Sequence, residues 1–166
     1  MISVEEALQK VLSYVEVLEP EQKPILECLG QVLAEDIYST VNVPPLDNSA
    51  MDGFALRAED THGASEASPR YLAVTGEIAA GSLPTTKVRP GTAIRIMTGA
   101  PLPKGADAVV KFEDTDEVSR KSSGGDLSHI GILCQAEKGL NVRCRGEDIA
   151  MGDLIFKKGK VLRLKR

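Results

Sequence analysis

Between Val43 and Arg57 the chain reads Val-Pro-Pro-Leu-Asp-Asn-Ser-Ala-Met-Asp-Gly-Phe-Ala-Leu-Arg, and no other stretch limits the backbone so tightly. Pro44 and Pro45 fix two φ angles and remove two donors, so the chain must enter extended. Asp47, Asn48 and Ser49 carry short polar side chains that bond nearby amides in turns and caps. Asp52 precedes Gly53, a tight-turn pair. Phe54 and Leu56, with Ala55 and Arg57 between and after, alternate as a strand does. A plain structural reading is a proline-stiffened loop ending in an Asp-Gly turn. A functional reading is a rigid loop that presents carboxylates, because three polar side chains and an acid exceed what a turn needs.

The rest of the composition narrows the class. The chain has 166 residues, 42% hydrophobic and only 4% aromatic with no Trp, so its core rests on Val, Leu, Ile and Ala. Net charge is −4, and the basic residues gather only near the end, at Lys157, Lys158, Lys160, Arg163, Lys165 and Arg166. They alternate there with Val161, Leu162 and Leu164, as on the edge of a solvated element. Neither a nucleic-acid nor a membrane partner is expected. Cys28, Cys134 and Cys144 are far apart with no C-x-x-C, which fits reduced thiols rather than a disulfide framework. His62 and His129 lack neighbouring Cys or His, so no zinc site is expected. No signal peptide is visible, and a cytoplasmic location is expected.

Along the chain, Ser3 to Leu18 has helical spacing, opened by a Ser3/Glu6 capping box. Ile25 to Ala34 reads as a second short helix despite Gly30. Glu35 to Val43 turns to β character. Strands are expected over Tyr71–Ile78, Ala93–Met97, Ala108–Glu113, Ile130–Gln135 and Gly139–Arg143. A surface loop fills Ala58–Arg70, a mobile acidic and Ser/Gly-rich loop Asp114–Ser128, and a hairpin Asp153–Leu164. Gly76 to Ser82 faintly mimics a phosphate loop but lacks the required Lys. Many short strands between turns predict a compact β module rather than βαβ units.

Three ordered runs carry a resemblance: Asp47-Asn-Ser-Ala-Met-Asp-Gly-Phe-Ala55, Ile94-Arg-Ile-Met-Thr-Gly-Ala-Pro101 and Arg143-Cys-Arg-Gly-Glu-Asp-Ile149. Together they resemble the N-terminal part of the bacterial MoeA proteins, the molybdopterin molybdenumtransferases, to which a region of eukaryotic gephyrin is related. The resemblance implies an α+β, mainly β fold, with a short-strand β module inserted into an elongated helix-containing domain. It places the elongated dimerisation domain at 1–40 plus 144–166 and the inserted domain, with the signature loop, at 41–143. It implies a homodimer that inserts molybdate into adenylylated molybdopterin with help from magnesium and releases AMP.

Residue by residue, the resemblance implies that Asp52 is the active-site acid, as general base, water-orienting group or outer-sphere magnesium partner. Asp47 and Ser49 are supporting or substrate-binding candidates, with loop shape as the alternative. Thr98 ends a strand beside Gly99 and is either a substrate contact or a turn residue. Asp148, with Glu147, supports the site, while Arg143 and Arg145 either face phosphate or pair with those two acids. Phe54 stands where the family more often has Tyr, so no hydroxyl is essential there. The family's α/β substrate domain, with a Thr-Gly-Asp-Glu stretch, and its last β domain have no counterpart in this sequence. The expectation is therefore an N-terminal part of a longer enzyme, inactive alone, with no metal ligands and no tightly held cofactor of its own. The alternative is a stand-alone dimerisation or scaffold module without catalysis.

Overall fold

The computed structural model of the chain describes residues 2–164. It is built mainly of strands with few helices. Two compact units emerge, one from Met1–Tyr38 with Leu154–Arg166 and one from Ser39–Asp153. The return to the first unit begins at 154, ten residues later than the expected 144. The reason is local pairing: Asn48 lies opposite Arg143, Val43 opposite Ile149, and the Gly146 N–H donates to the Pro44 carbonyl at 2.9 Å. These bonds hold 144–153 to the proline-rich entry strand.

In the smaller unit, α1 spans Val4–Leu12 and begins with the expected capping box, Glu6 N–H to Ser3 Oγ at 3.1 Å and Ser3 N–H to Glu6 Oε2 at 2.9 Å. It stops six residues short of Leu18. The Ser13 hydroxyl donates to the Lys10 carbonyl, and Tyr14 and Val15 bond three residues back, tightening the last turn. The expected second helix reduces to one 3₁₀ turn, Ile25–Glu27. Gly30 takes φ +81, and its N–H and that of Leu33 bond the Leu162 and Lys160 carbonyls instead of a helix. Strand β1 (Ile37–Tyr38) pairs antiparallel with β9 (Leu154–Phe156), and Val32 bridges Val161. The expected terminal hairpin is thus overturned: both arms of 154–161 pair with the N-terminal segment rather than with each other.

In the larger unit, a mixed five-stranded sheet has the order β6-β3-β5-β4-β7. Its strands are β3 (Gly53–Leu56), β4 (Arg70–Ile78), β5 (Thr92–Ile96), β6 (Ala108–Lys111) and β7 (His129–Ile132). Strand β3 lies between β5 and β6 and is buried along its whole length. One face sends Phe54 and Leu56 into a cluster with Leu72, Ala93, Val110, Ile130 and Ile132. The other sends Ala55 into a cluster with Ile78, Val88, Ile94, Ile96 and Val109. Each fully buried aliphatic side chain contributes about 1.5–3 kcal/mol, so the signature loop hangs from a strand buried at every position. A second small pair joins β2 (Asn48–Ser49) to β8 (Val142–Arg143).

Four further expectations change. Asp52-Gly53 forms no hairpin turn; Gly53 opens β3, and a Cβ there would lie 2.0 Å from the Val110 carbonyl oxygen. The glycine serves close strand approach rather than turning. The 108–113 strand ends at Lys111, and the 139–143 strand shrinks to two residues because Asn141 takes φ +53. The 114–128 loop contains α2 (Glu117–Ser122). Asp116 organises it, accepting the Gly131 N–H at 2.7 Å on Oδ1 and Arg120 Nε at 2.6 Å on Oδ2.

Candidate functional site

Asp52 sits in the bend just before β3, anchored through its carbonyl, which accepts the Phe112 N–H at 3.2 Å. Its side chain is exposed, and Oδ1 accepts two bonds from one residue: the Thr98 N–H at 2.7 Å and the Thr98 hydroxyl at 2.7 Å. The Thr98 amide and then its hydroxyl hold the Asp52 carboxyl below the usual carboxylate range, with a smaller contribution from the nearby Arg95 charge. Oδ2 takes no hydrogen bond among the described residues. Asp52 is thus an ionised acid with one oxygen clamped and the other facing outward.

The clamp follows from how the first two motifs interlock. Strand β5 ends at Ile96, and the chain turns through Met97–Ala100 with Gly99 at φ +81. The Gly99 N–H donates to the Ser49 carbonyl at 2.8 Å, and the Ser49 N–H to the Ala100 carbonyl at 3.0 Å. This aims the Thr98 amide at Asp52. Ser49 is 1% exposed, and its hydroxyl donates to the Met51 carbonyl at 2.6 Å. It shapes the bend that carries Asp52. Asp47 also works through the backbone, its Oδ1 accepting the Arg145 N–H at 2.7 Å and its carbonyl the Leu102 N–H at 2.9 Å. Ser49 braces the loop from inside and Asp47 from its exposed side.

The third motif is tied on by β2–β8 pairing, but its acids are spoken for. Arg143 Nη2 lies 2.6 Å from both Asp148 oxygens, and its Nε lies 3.5 Å from Glu147 Oε1. Asp148 in turn raises the affinity of Arg143 for its proton. Of the two readings of this cluster, pairing with the acids describes Arg143, whereas Arg145 contributes its backbone N–H, donated to Asp47. Asp148 makes no hydrogen bond to Asp52 or Thr98.

Two residues of the surroundings were not singled out from the sequence. Asn141 places its carbonyl on the Ala50 N–H at 2.9 Å and its Nδ2 on the Val109 carbonyl at 2.9 Å, fixing the far side of the loop. Arg95 interrupts the apolar run Ala93-Ile-Arg-Ile-Met97, and that lone charge was the available signal. Among the described residues no three His, Cys, Asp or Glu side chains gather as metal ligands. The loop offers a hard cation one carboxylate, not a cage; magnesium commonly binds through one or two carboxylates plus substrate phosphates. No helix of the described residues is long and apolar enough to cross a membrane.

Residues 2–166 match the family described as the MoeA N-terminal region, domains I and II. Molybdopterin molybdenumtransferase 2 of Mycobacterium tuberculosis is 39% identical over 162 residues, covering 98% of this chain and 38% of the relative. The molybdopterin molybdenumtransferase of Staphylococcus aureus is 37% identical over 161 residues, covering 97% of this chain and 36% of the relative. Two crystal structures of MoeA molybdopterin biosynthesis proteins from Pyrococcus horikoshii superpose with TM-scores of 0.82 and 0.85 at 44% and 38% identity. They cover 98% and 96% of this chain, which in turn covers 39% and 40% of theirs. The chain therefore spans well under half the length of the relatives it matches. With three interlocking motifs, a matching fold and a family match across 2–166, the chain belongs to the MoeA N-terminal region family.

Proposed function

We propose that this chain is the N-terminal part of a molybdenum cofactor biosynthesis enzyme that inserts molybdate into adenylylated molybdopterin and releases AMP. The observation that carries the reading is the clamp of Thr98 on Asp52, which joins two distant motifs around one outward-facing carboxylate oxygen. A carboxyl held below its ordinary pKa is a poor match for a general base near neutral pH. Of the three roles open to Asp52, the geometry favours orientation: Oδ2 accepts a hydrogen bond from the attacking water, or from water around a cation, and fixes its direction. Magnesium, when bound, supplies charge neutralisation at the phosphoanhydride. Asp52 would reach it through such a water, with the remaining oxygens coming from substrate and from parts of the protein outside this chain.

Homodimerisation in the cytoplasm belongs to the same proposal, with the smaller unit, Met1–Tyr38 plus Leu154–Arg166, as contact and Ser39–Asp153 as its insert. Leu8, Val11, Leu12 and Val15 are 57%, 63%, 56% and 63% exposed along one segment, an apolar face of the kind that marks contact sites. That face also favours a second reading, a dimerisation or scaffold module without chemistry. The test uses the full-length protein that carries this chain, with adenylylated molybdopterin, magnesium and molybdate. Asp52→Ala is expected to slow AMP release by about a hundredfold through lost orientation, and the 166-residue chain alone is expected to be inert. Unchanged turnover in Asp52→Ala favours the scaffold reading; AMP release by the isolated chain at the full-length rate removes the need for further domains.

A further inference from the structure

We propose that Arg95 is a positioning residue for Asp52: a cation locked by Glu77 and Glu117 on the Asp52 face of the sheet, which lets that carboxylate work beside an anionic substrate. The inference rests on the reading of Asp52 as the active-site acid. Strands β3 and β5 are antiparallel, with Gly53 opposite Ile96 and Phe54 opposite Arg95. Asp52 directly precedes Gly53 in the bend before β3, and Met97 directly follows Ile96. Side chains alternate between faces, so Phe54 and Arg95 share a face, and Asp52, two residues before Phe54, lies towards the same side.

The guanidinium is held from two sides. Its Nε lies 3.1 Å from Glu117 Oε1 on α2, and its Nη1 lies 3.0 Å from Glu77 Oε1 on β4. Glu117 is 2% exposed, and its Oε2 has no partner among the described residues. A buried carboxylate so poorly supplied makes release of Arg95 unfavourable. Lys121 Nζ shares Glu117 Oε1 at 2.5 Å, so the two acids are divided between two cations, and Glu77, 59% exposed, is the more strongly screened of them. The guanidinium charge adds to the two Thr98 bonds in keeping Asp52 ionised. Nη2 has no hydrogen-bond partner among the described residues.

Phosphoanhydrides and molybdate are anions, and a lone carboxylate repels them. A fixed cation on the same side offsets that repulsion without touching substrate. The test is a double-mutant cycle on AMP release in the full-length protein. Arg95→Gln is expected to lower kcat/KM about tenfold, and Arg95→Lys, which keeps the charge, to stay within about threefold. In an Asp52→Asn background, Arg95→Gln should cost less than about twofold more, because its route of action is gone. An equal loss in both backgrounds, or no loss in either, overturns the proposal. Glu117→Gln, which keeps the side-chain shape while loosening Arg95, should show the same dependence on Asp52 if Arg95→Gln fails to fold. Asp52→Asn with unchanged AMP release would defeat the functional reading itself, independently of Arg95.

Discussion

At the scale of single residues, the chemistry concentrates in one pair. Thr98 gives Asp52 an amide and a hydroxyl donor on the same oxygen. Thr98→Val keeps the amide and removes the hydroxyl, so the Asp52 pKa should rise part of the way back towards its ordinary value of 3.8. The sign follows from linkage. The folded pKa is depressed, so the stabilisation is fully present above the unfolded value and is lost as pH falls through the folded one. In Thr98→Val that loss should be smaller and complete at a higher pH, because the folded value moves towards an unchanged unfolded one. A carboxyl ¹³C titration of Asp52 checks this, and an unchanged midpoint would remove the hydroxyl from the account. Both members of the pair were legible in the sequence as motif residues. Their contact was not, because 46 residues separate them and only the register of β3 on β5 brings them together. Ser49 and Asp47 were legible as polar loop residues, yet their side chains turn to backbone partners, which no spacing rule distinguishes from substrate contact.

At the scale of elements, β3 decides where the site sits, and Gly53 decides how closely β3 approaches β6. A Cβ at Gly53 would meet the Val110 carbonyl oxygen at 2.0 Å and Lys111 Cα at 2.7 Å, both backbone. Gly53→Ala must push the strands apart and is expected to cost about 1–3 kcal/mol, at the upper end. Gly99 is the contrast: it has φ +81 but open space where a methyl would stand, so Gly99→Ala should cost about 1 kcal/mol from backbone strain alone. Urea midpoints of the two variants check the order, and a smaller loss for Gly53→Ala would mean the ladder yields easily. The long strands β4 and β5 were readable from apolar runs bounded by turns. The second helix was not, since Gly30 and the pairing of 30–33 with 160–162 override a helical pattern of leucines. Nor was α2, because its order comes from Asp116 reaching Gly131 and from Glu117 reaching Arg95, contacts that local composition does not encode.

At the scale of the whole molecule, the two units differ in how much core they own. Both hydrophobic clusters lie entirely within Ser39–Asp153. The ends of that segment are clipped together: the Ser39 N–H donates to the Asp153 carbonyl at 2.8 Å, and the Gly152 N–H returns to the Ser39 carbonyl at 2.8 Å. Cutting at these points opens no strand of the five-stranded sheet, and adjacent termini are what an autonomous domain presents. Residues 39–153 expressed alone should therefore unfold cooperatively in urea. The remaining stretches have short pairings and a helix with no buried residue, too little apolar burial to fold unaided. They carry the exposed leucines and valines instead. If those side chains form the dimer contact, the 166-residue chain should sediment with concentration-dependent association while 39–153 stays monomeric. Leu8→Glu combined with Val11→Glu should abolish association and leave the urea transition of the larger unit in place. Association that persists in 39–153 would move the contact onto the β module and separate dimerisation from the apolar helix.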